Sequence, residues 1–212
     1  FDKIFKVDHC YLQSDYMNEI RNTALDVALK QALTFCNRKE HTGFLRNLMI
    51  RNSSDGHWMV TVIFGFDDQE LISNYMSALK ERLPLVQSWI YIINTKANDS
   101  LNDLDFHVFD GPAAFVETME HLHFSVGPLS FYQVNVPQAL SMYRMVRQLA
   151  DLKGTETVYD LYTGTGTIAL FVAPHAQKVV GIEYVPQAID DAKKNATDNR
   201  IKNADFFCGD IA

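Results

Sequence analysis

The hydrophobic positions change period twice along the chain. From Ser14, which fits a helix N-cap, Met17, Ile20, Ala24, Val27 and Ala28 recur at helical spacing until Thr34, Phe35, Cys36 and Asn37 end the pattern. Residues 44–50 and 58–64 then predict two strands joined by the turn cluster Asn52, Ser53, Ser54, Asp55 and Gly56. Asp67 is the expected cap of a second helix carrying Leu71, Ile72, Tyr75, Met76 and Leu79, and 87–94 is an expected strand. A polar loop fills 94–105, and short strands are expected around the Asp110-Gly111-Pro112 turn and over 121–125. This order predicts a small α+β domain over 1–125.

From 126 onward strands and helices alternate. A helix is expected over 136–152, with Leu140, Tyr143, Met145, Val146 and Leu149 near one face, then a strand over 157–161 and a helix opening near Thr167. A strand over 178–182, a helix over 186–195 with Pro186 in its first turn, and a strand over 205–208 complete the pattern. The fold class is therefore α/β, with 126–212 forming the first part of a Rossmann-like, doubly wound parallel sheet whose remaining strands are missing.

Composition narrows the setting. In 212 residues, 47% hydrophobic content is enough for two real cores, and no apolar run approaches the roughly 18 residues of a membrane span. The chain opens on Phe1 with no secretory signal and reads as a piece of something longer. Cys10, Cys36 and Cys208 are too scattered for a disulfide framework, which favours the cytoplasm. A net charge of −7 gives no global attraction for nucleic acid, so such a partner needs a local patch. Lys30, Arg38, Lys39, Arg46 and Arg51 stand against Glu40 alone, with His41, Asn47, Phe44 and Trp58 nearby. The stretch is a candidate for tracking a phosphate backbone and stacking an unpaired base, or else an ordinary solvated hairpin face.

The candidate chemistry centres on YDLYTGTGTIAL, residues 159–170. Gly164 and Gly166 follow a strand and precede a helix, where a glycine turn lets the backbone approach a ligand. Asp160 lies where a dinucleotide's pyrophosphate would pass and would repel it. S-adenosylmethionine carries a sulfonium and an ammonium group instead, which an acid suits. Glu183 closes the second strand and can accept hydrogen bonds from both ribose hydroxyls, and Asp210 follows the third strand, near the expected adenine edge. The alternatives are that Asp160 caps the following turn and that Glu183 is a solvated strand-end charge.

SFYQVN at 130–135, YDLYTGTGTIAL, GIEYVPQAIDDAKKNA and FFCGD occur in the order and spacing of the RNA uracil-C5 methyltransferases, and VDHCYLQ and HTGFLRNLMIR extend the likeness across nearly the whole chain. The chain resembles this family, most of all its large-subunit rRNA branch, which makes 5-methyluridine. The resemblance implies an incomplete class I methyltransferase domain behind a central domain with a possible RNA-contact surface. It implies cofactor contacts from Gln133, Tyr162, Thr167, Glu183 and Asp210, beside Asp160, Gly164 and Gly166. Where the family often has Cys or Ala, this chain has Thr163.

The family adds a cysteine thiolate to uracil C6, and a carboxylate base later removes the C5 proton. The motifs that carry those groups lie beyond Ala212, so no catalytic residue is assigned and the chain alone is expected to be inactive. Cys208, inside an expected strand, reads as a buried, inert thiol. Asp8-His9-Cys10-Tyr11-Leu12-Gln13 resembles the setting of the last of four ligands to a 4Fe-4S cluster in the rRNA branch, whose other ligands would precede Phe1. The expected partner is RNA, rRNA before tRNA. Two rival functions stay open: an NAD-dependent oxidoreductase, and a non-catalytic RNA-binding domain of methyltransferase type.

Overall fold

Ser14 accepts the Met17 N–H and starts α1 (Asp15–Lys30), whose Ile20, Ala24, Val27 and Ala28 are buried at the expected helical spacing. The helix belongs to the first of two units in a computed structural model that describes residues 6–101 and 103–210. The first unit comprises Phe1–Asn52 and Gly56–Ala113, and the second comprises Ser53–Asp55 and Ala114–Ala212.

In the first unit β1 (Leu45–Asn52) pairs antiparallel with β2 (Trp58–Phe64), α2 (Gln69–Arg82) follows, and β3 (Val86–Ile93) lies parallel to β2. β4 (Phe106–Asp110) adds an antiparallel edge, giving the order β1-β2-β3-β4. β2 is buried along all but its first residue, as a central strand should be. Phe44, Phe64, Met76, Leu79 and Trp89 form its core with the apolar face of α1. The Tyr75 hydroxyl donates to the Ala24 carbonyl at 3.0 Å and ties α2 to α1. The cap of α2 is Asp68, not Asp67. Asp68 immediately precedes the first helical residue and accepts the Leu71 N–H at 3.0 Å, while Asp67 holds the Gln69 amide.

The second unit begins with the hairpin β5 (Phe115–Met119) and β6 (Leu122–Val126). α3 (Val136–Ala150), β7 (Thr157–Leu161), α4 (Thr167–Val172) with a 3-10 turn Ala173–His175, β8 (Lys178–Glu183), α5 (Pro186–Asp198) and β9 (Ala204–Cys208) follow. The three later strands form a parallel sheet in the order β7-β8-β9. This alternation of parallel strands and helices is the α/β, Rossmann-like arrangement expected of 126–212. The sequence pattern groups the hairpin with the first 125 residues. Its Met119, Leu122 and Phe124 instead pack with Leu170, Phe171, Ile189 and Phe206 in the second core.

α3 stops at Ala150, because Asp151 turns left-handed at φ 46°. Of its expected apolar face Tyr143 is buried, while Met145 and Leu149 are 60% and 77% exposed, uncovered by the described residues. Among the described residues no helix is long and apolar enough to cross a membrane.

Candidate cofactor cleft

The parallel register sets the carboxyl ends of the three strands side by side: Leu161 pairs with Ile182, and Glu183 with Cys208. The chain leaves β7 through Tyr162, a non-glycine residue at φ 63° and 75% exposed, and reverses at Gly164 and Gly166, at φ 56° and 80°. The two glycines serve different needs. A Cβ on Gly164 would meet nothing within 4 Å, so its face is open to a ligand. A Cβ on Gly166 would lie 3.0 Å from the Phe206 ring and 3.1 Å from the Ala192 Cβ. Phe206 also presses on Gly181, where a Cβ would come within 2.5 Å, so this ring is the floor under the loop.

The loop's N–H groups turn inward. Thr163 donates to the Ile182 carbonyl at 3.0 Å, Gly164 to Glu183 Oε2 at 3.1 Å and Gly166 to the Thr163 carbonyl at 2.9 Å. Glu183 Oε1 also accepts the Val185 N–H at 3.0 Å. The three loop N–H groups are not available to a phosphate, and Asp160 and Glu183 place two carboxylates where a pyrophosphate would pass.

Asp160 is built into the same turn. Its Oδ2 accepts the Thr163 hydroxyl at 2.7 Å and the Ala169 N–H at 3.0 Å, capping α4 where Gly166 has no side chain to do so. Oδ1 has no protein partner among the described residues. Burial raises the Asp160 pKa against the pull of those two donors, which makes a cationic ligand group a favourable neighbour. Thr167, the first residue of α4, shares a hydrogen bond of 3.1 Å with the Tyr143 hydroxyl, whose pKa burial raises. Gln133 is half-buried and has no hydrogen-bond partner among the described residues. Asp210 follows β9 on the exposed side.

Three residues that the sequence reading passed over organise this cleft. Asp191, Asn195 and Asn199 recur every fourth residue along α5 and form a polar stripe on one face of the helix. Asp191 accepts the Ser130 hydroxyl at 3.0 Å and so fixes the start of SFYQVN. Asn195, 1% exposed, accepts the Ser125 N–H at 3.0 Å and donates to the Thr165 carbonyl at 3.1 Å. Asn199 accepts the His123 N–H at 2.8 Å and donates to its carbonyl at 2.6 Å. One helix thereby holds the hairpin, the Gln133 segment and the glycine loop. The available signal was polar residues at helical spacing beside Ile189, Ala192 and Ala196, the buried apolar positions of the same helix.

Elsewhere the structure departs from expectation. Cys208 is exposed at the end of β9, its thiol 3.4 Å from the Tyr184 carbonyl, and is not a core thiol. The basic stretch does not form one surface: Phe44 is core, Arg46 is spent on backbone carbonyls, and burial lowers the Arg51 pKa. Cys10 is half-buried, its N–H and carbonyl both held by the Asn18 side chain at 2.9 and 3.1 Å.

The family described as a methyltransferase domain matches residues 152–212. Over the whole chain, a protein of Bacteroides thetaiotaomicron named an uncharacterized RNA methyltransferase is 50% identical, and one so named from Chlorobaculum tepidum is 35% identical. The chain is similar to these proteins along its whole length and spans about half of theirs, 47% and 44% respectively. Among solved structures, the fold is matched by the tRNA (uracil-54, C5)-methyltransferase of Pyrococcus abyssi in complex with S-adenosyl-L-homocysteine. That match has a TM-score of 0.80 at 23% identity, over 99% of this chain and 50% of that one.

Proposed function

We propose that the protein carrying this chain methylates C5 of uracil in RNA, rRNA before tRNA, and that residues 126–212 supply the S-adenosylmethionine cleft. One observation carries the cofactor reading. Two carboxylates, Asp160 and Glu183, stand beside a glycine turn whose N–H groups face inward, an arrangement that favours a cationic nucleoside over a dinucleotide. The same observation counts against the nicotinamide alternative.

Asp160 Oδ1 would receive the ligand's ammonium group and Glu183 the ribose hydroxyls, each Glu183 oxygen having a lone pair beyond its backbone bond. Gln133 offers an uncommitted amide, Tyr162 an exposed ring and Gly164 an open backbone. Thr167 and Asp210 line the turn and the third strand end. The bound cofactor supplies an electrophilic methyl group. None of residues 1–212 is assigned as the nucleophilic cysteine or the base, and methyl transfer is proposed for the full protein. Cys10 would be one thiolate ligand of a 4Fe-4S cluster in the full protein, or else a plain free cysteine; among the described residues no group of three or more His, Cys, Asp or Glu could hold a metal.

Calorimetry of the chain with S-adenosylhomocysteine and with NAD tests the cofactor reading: heat of binding with the first and none with the second is expected, and the reverse sinks it. Methyl transfer to uridine-containing RNA by the full protein, and a trapped covalent protein–RNA adduct without turnover when the uridines carry a 5-fluoro group, together test the target atom.

A further inference from the structure

The glycine loop contains one side chain to which the proposed function gives no role. Thr163 stands where the family that the sequence resembles often has Cys or Ala, and it is only 5% exposed. Its backbone is committed, the N–H to the Ile182 carbonyl at 3.0 Å and the carbonyl to the Gly166 N–H at 2.9 Å. The side chain does two separate things. Its methyl carbon lies against Gly181, the β8 partner of Asp160 in the sheet, where an added Cβ would come within 3.0 Å of it. Its hydroxyl donates to Asp160 Oδ2 at 2.7 Å and has no other partner among the described residues.

A carboxylate can only accept, so the single hydroxyl proton of Thr163 points at Asp160. Together with the Ala169 N–H at 3.0 Å it fills Oδ2, and Oδ1 is left without a protein partner among the described residues. A hydrogen bond to an ionised acceptor is about twice as strong as one between neutral groups, so both donors favour the carboxylate over the acid. The burial that disfavours the charge acts against them. The neighbouring elements bring no positive charge to Asp160. α3 contributes the Tyr143 hydroxyl, while its Arg144 and Arg147 are held by Glu120. α4 carries no titratable residue, the loop holds the exposed Tyr162, and β8 contributes Glu183, both of whose oxygens already accept backbone N–H groups. The hydroxyl of Thr163 and the Ala169 N–H are therefore the groups that hold the charge in place.

We propose that Thr163 is a positioning residue of the cleft: its hydroxyl keeps Asp160 charged and keeps Oδ1 free for the ligand's ammonium group. The proposal rests on the reading of the cleft as an S-adenosylmethionine site. With Oδ2 filled by two donors, a proton reaching the carboxyl goes to Oδ1, where it removes the ammonium group's acceptor as well as its counter-charge. Thr163 thus sets the acidity at which the cleft lets go of its ligand. An alanine in its place offers no donor and a cysteine only a weak one.

Calorimetric titration of the chain with S-adenosylhomocysteine at stepped pH tests this, with 5′-methylthioadenosine, which lacks the amino-acid end, as the second ligand. In the unchanged chain, affinity for the first ligand should step down on acidification while affinity for the second shows no such step. Thr163→Val keeps the contact with Gly181 and loses the hydroxyl, and should move the step up by about one pH unit, as for loss of one hydrogen bond to a charge. Thr163→Cys, a weak donor, should move it part of the way and gives the reading if the valine variant does not fold. Thr163→Ser loses the methyl and keeps the donor, so it should melt at a lower temperature and leave the step where it is. A step unmoved in the valine and cysteine variants, or moved as far by serine, overturns the proposal and leaves the cofactor reading standing. An equal step with 5′-methylthioadenosine assigns the titration to another group and also overturns it. An unchanged chain that binds neither ligand at any pH overturns both readings.

Discussion

The Asn195 side chain donates to the Thr165 carbonyl at 3.1 Å from a position only 1% exposed, bracing the glycine loop from behind. Its amide oxygen holds the Ser125 N–H at the same time. Asn195→Ala strands the buried Thr165 carbonyl and the half-buried Ser125 N–H and should cost about 2 kcal/mol, with S-adenosylhomocysteine affinity falling as the loop loosens. Asn195→Asp keeps the acceptor for Ser125 and loses the donor to Thr165. Urea denaturation and calorimetry of both variants check this, and an alanine variant with unchanged midpoint and affinity contradicts it.

Asp160→Asn keeps an oxygen for the Ala169 N–H and removes the charge, so the fold should persist while cofactor affinity drops about tenfold, the worth of one charge-assisted contact. The pH dependence has a definite sign. The Asp160 pKa is raised by burial, so its proton returns at a higher pH than for a free aspartate. Affinity for the cationic ligand should therefore fall, on acidification, before ordinary carboxylates titrate. The same raised pKa means that ionised Asp160 opposes folding, so Asp160→Asn is expected to gain stability as pH rises through that pKa. Calorimetry and melting curves at stepped pH read both effects, and a pH-independent difference from wild type would refute the assignment.

Gly166→Ala combines φ 80° with a Cβ at 3.0 Å from the Phe206 ring, whereas Gly164→Ala carries the strain of φ 56° in open space. The first should cost about 2–3 kcal/mol and the second about 1 kcal/mol. Gly164→Ala should nonetheless lose the more ligand affinity per unit of stability, since its open face is the one offered to the cofactor. Equal stability losses in the two would show that Phe206 is not a rigid floor.

Glu120 bonds both Arg144 and Arg147 of α3, and the side chain of Arg147 also lies over the Phe171 ring at 4.6 Å. Arg147, then Arg144, hold the Glu120 carboxyl below its ordinary value. A lowered carboxylate pKa contributes stability above the unfolded value of 4.5 that is lost as pH falls through the folded one. Glu120→Gln should thus destabilise the second unit at neutral pH and match wild type in acid. A stability gap that persists at the lowest pH would mean the glutamate acts by packing alone.

The strands and the glycine turn were legible because their signals are local. Alternating or continuous apolar runs mark 58–64 and 178–182, and two glycines between a strand and a helix mark the turn. Asp160 and Glu183 were legible as charges at strand ends, and a cap was an open alternative for Asp160, but that Glu183 also anchors backbone depends on how the loop folds back. Asn195 and Asn199 of the stripe on α5 were missed because they bond to main chain, and main chain leaves no pattern in the sequence. The hairpin 115–126 has a clear period of two, but a period says which side is buried and not which core buries it. Cys208 sits at a strand position whose exposure depends on neighbours the strand's own pattern does not name.

Phe206 supplies the floor of the glycine loop from the last strand of the unit, far along the chain from the loop itself. A contact so distant closes late, after local helices and the adjacent β7–β8 pair can form. The cofactor turn is thus completed by the last strand: without β9 the loop has no floor, and a chain cut before Phe206 is expected to keep β7 and β8 and lose ligand affinity.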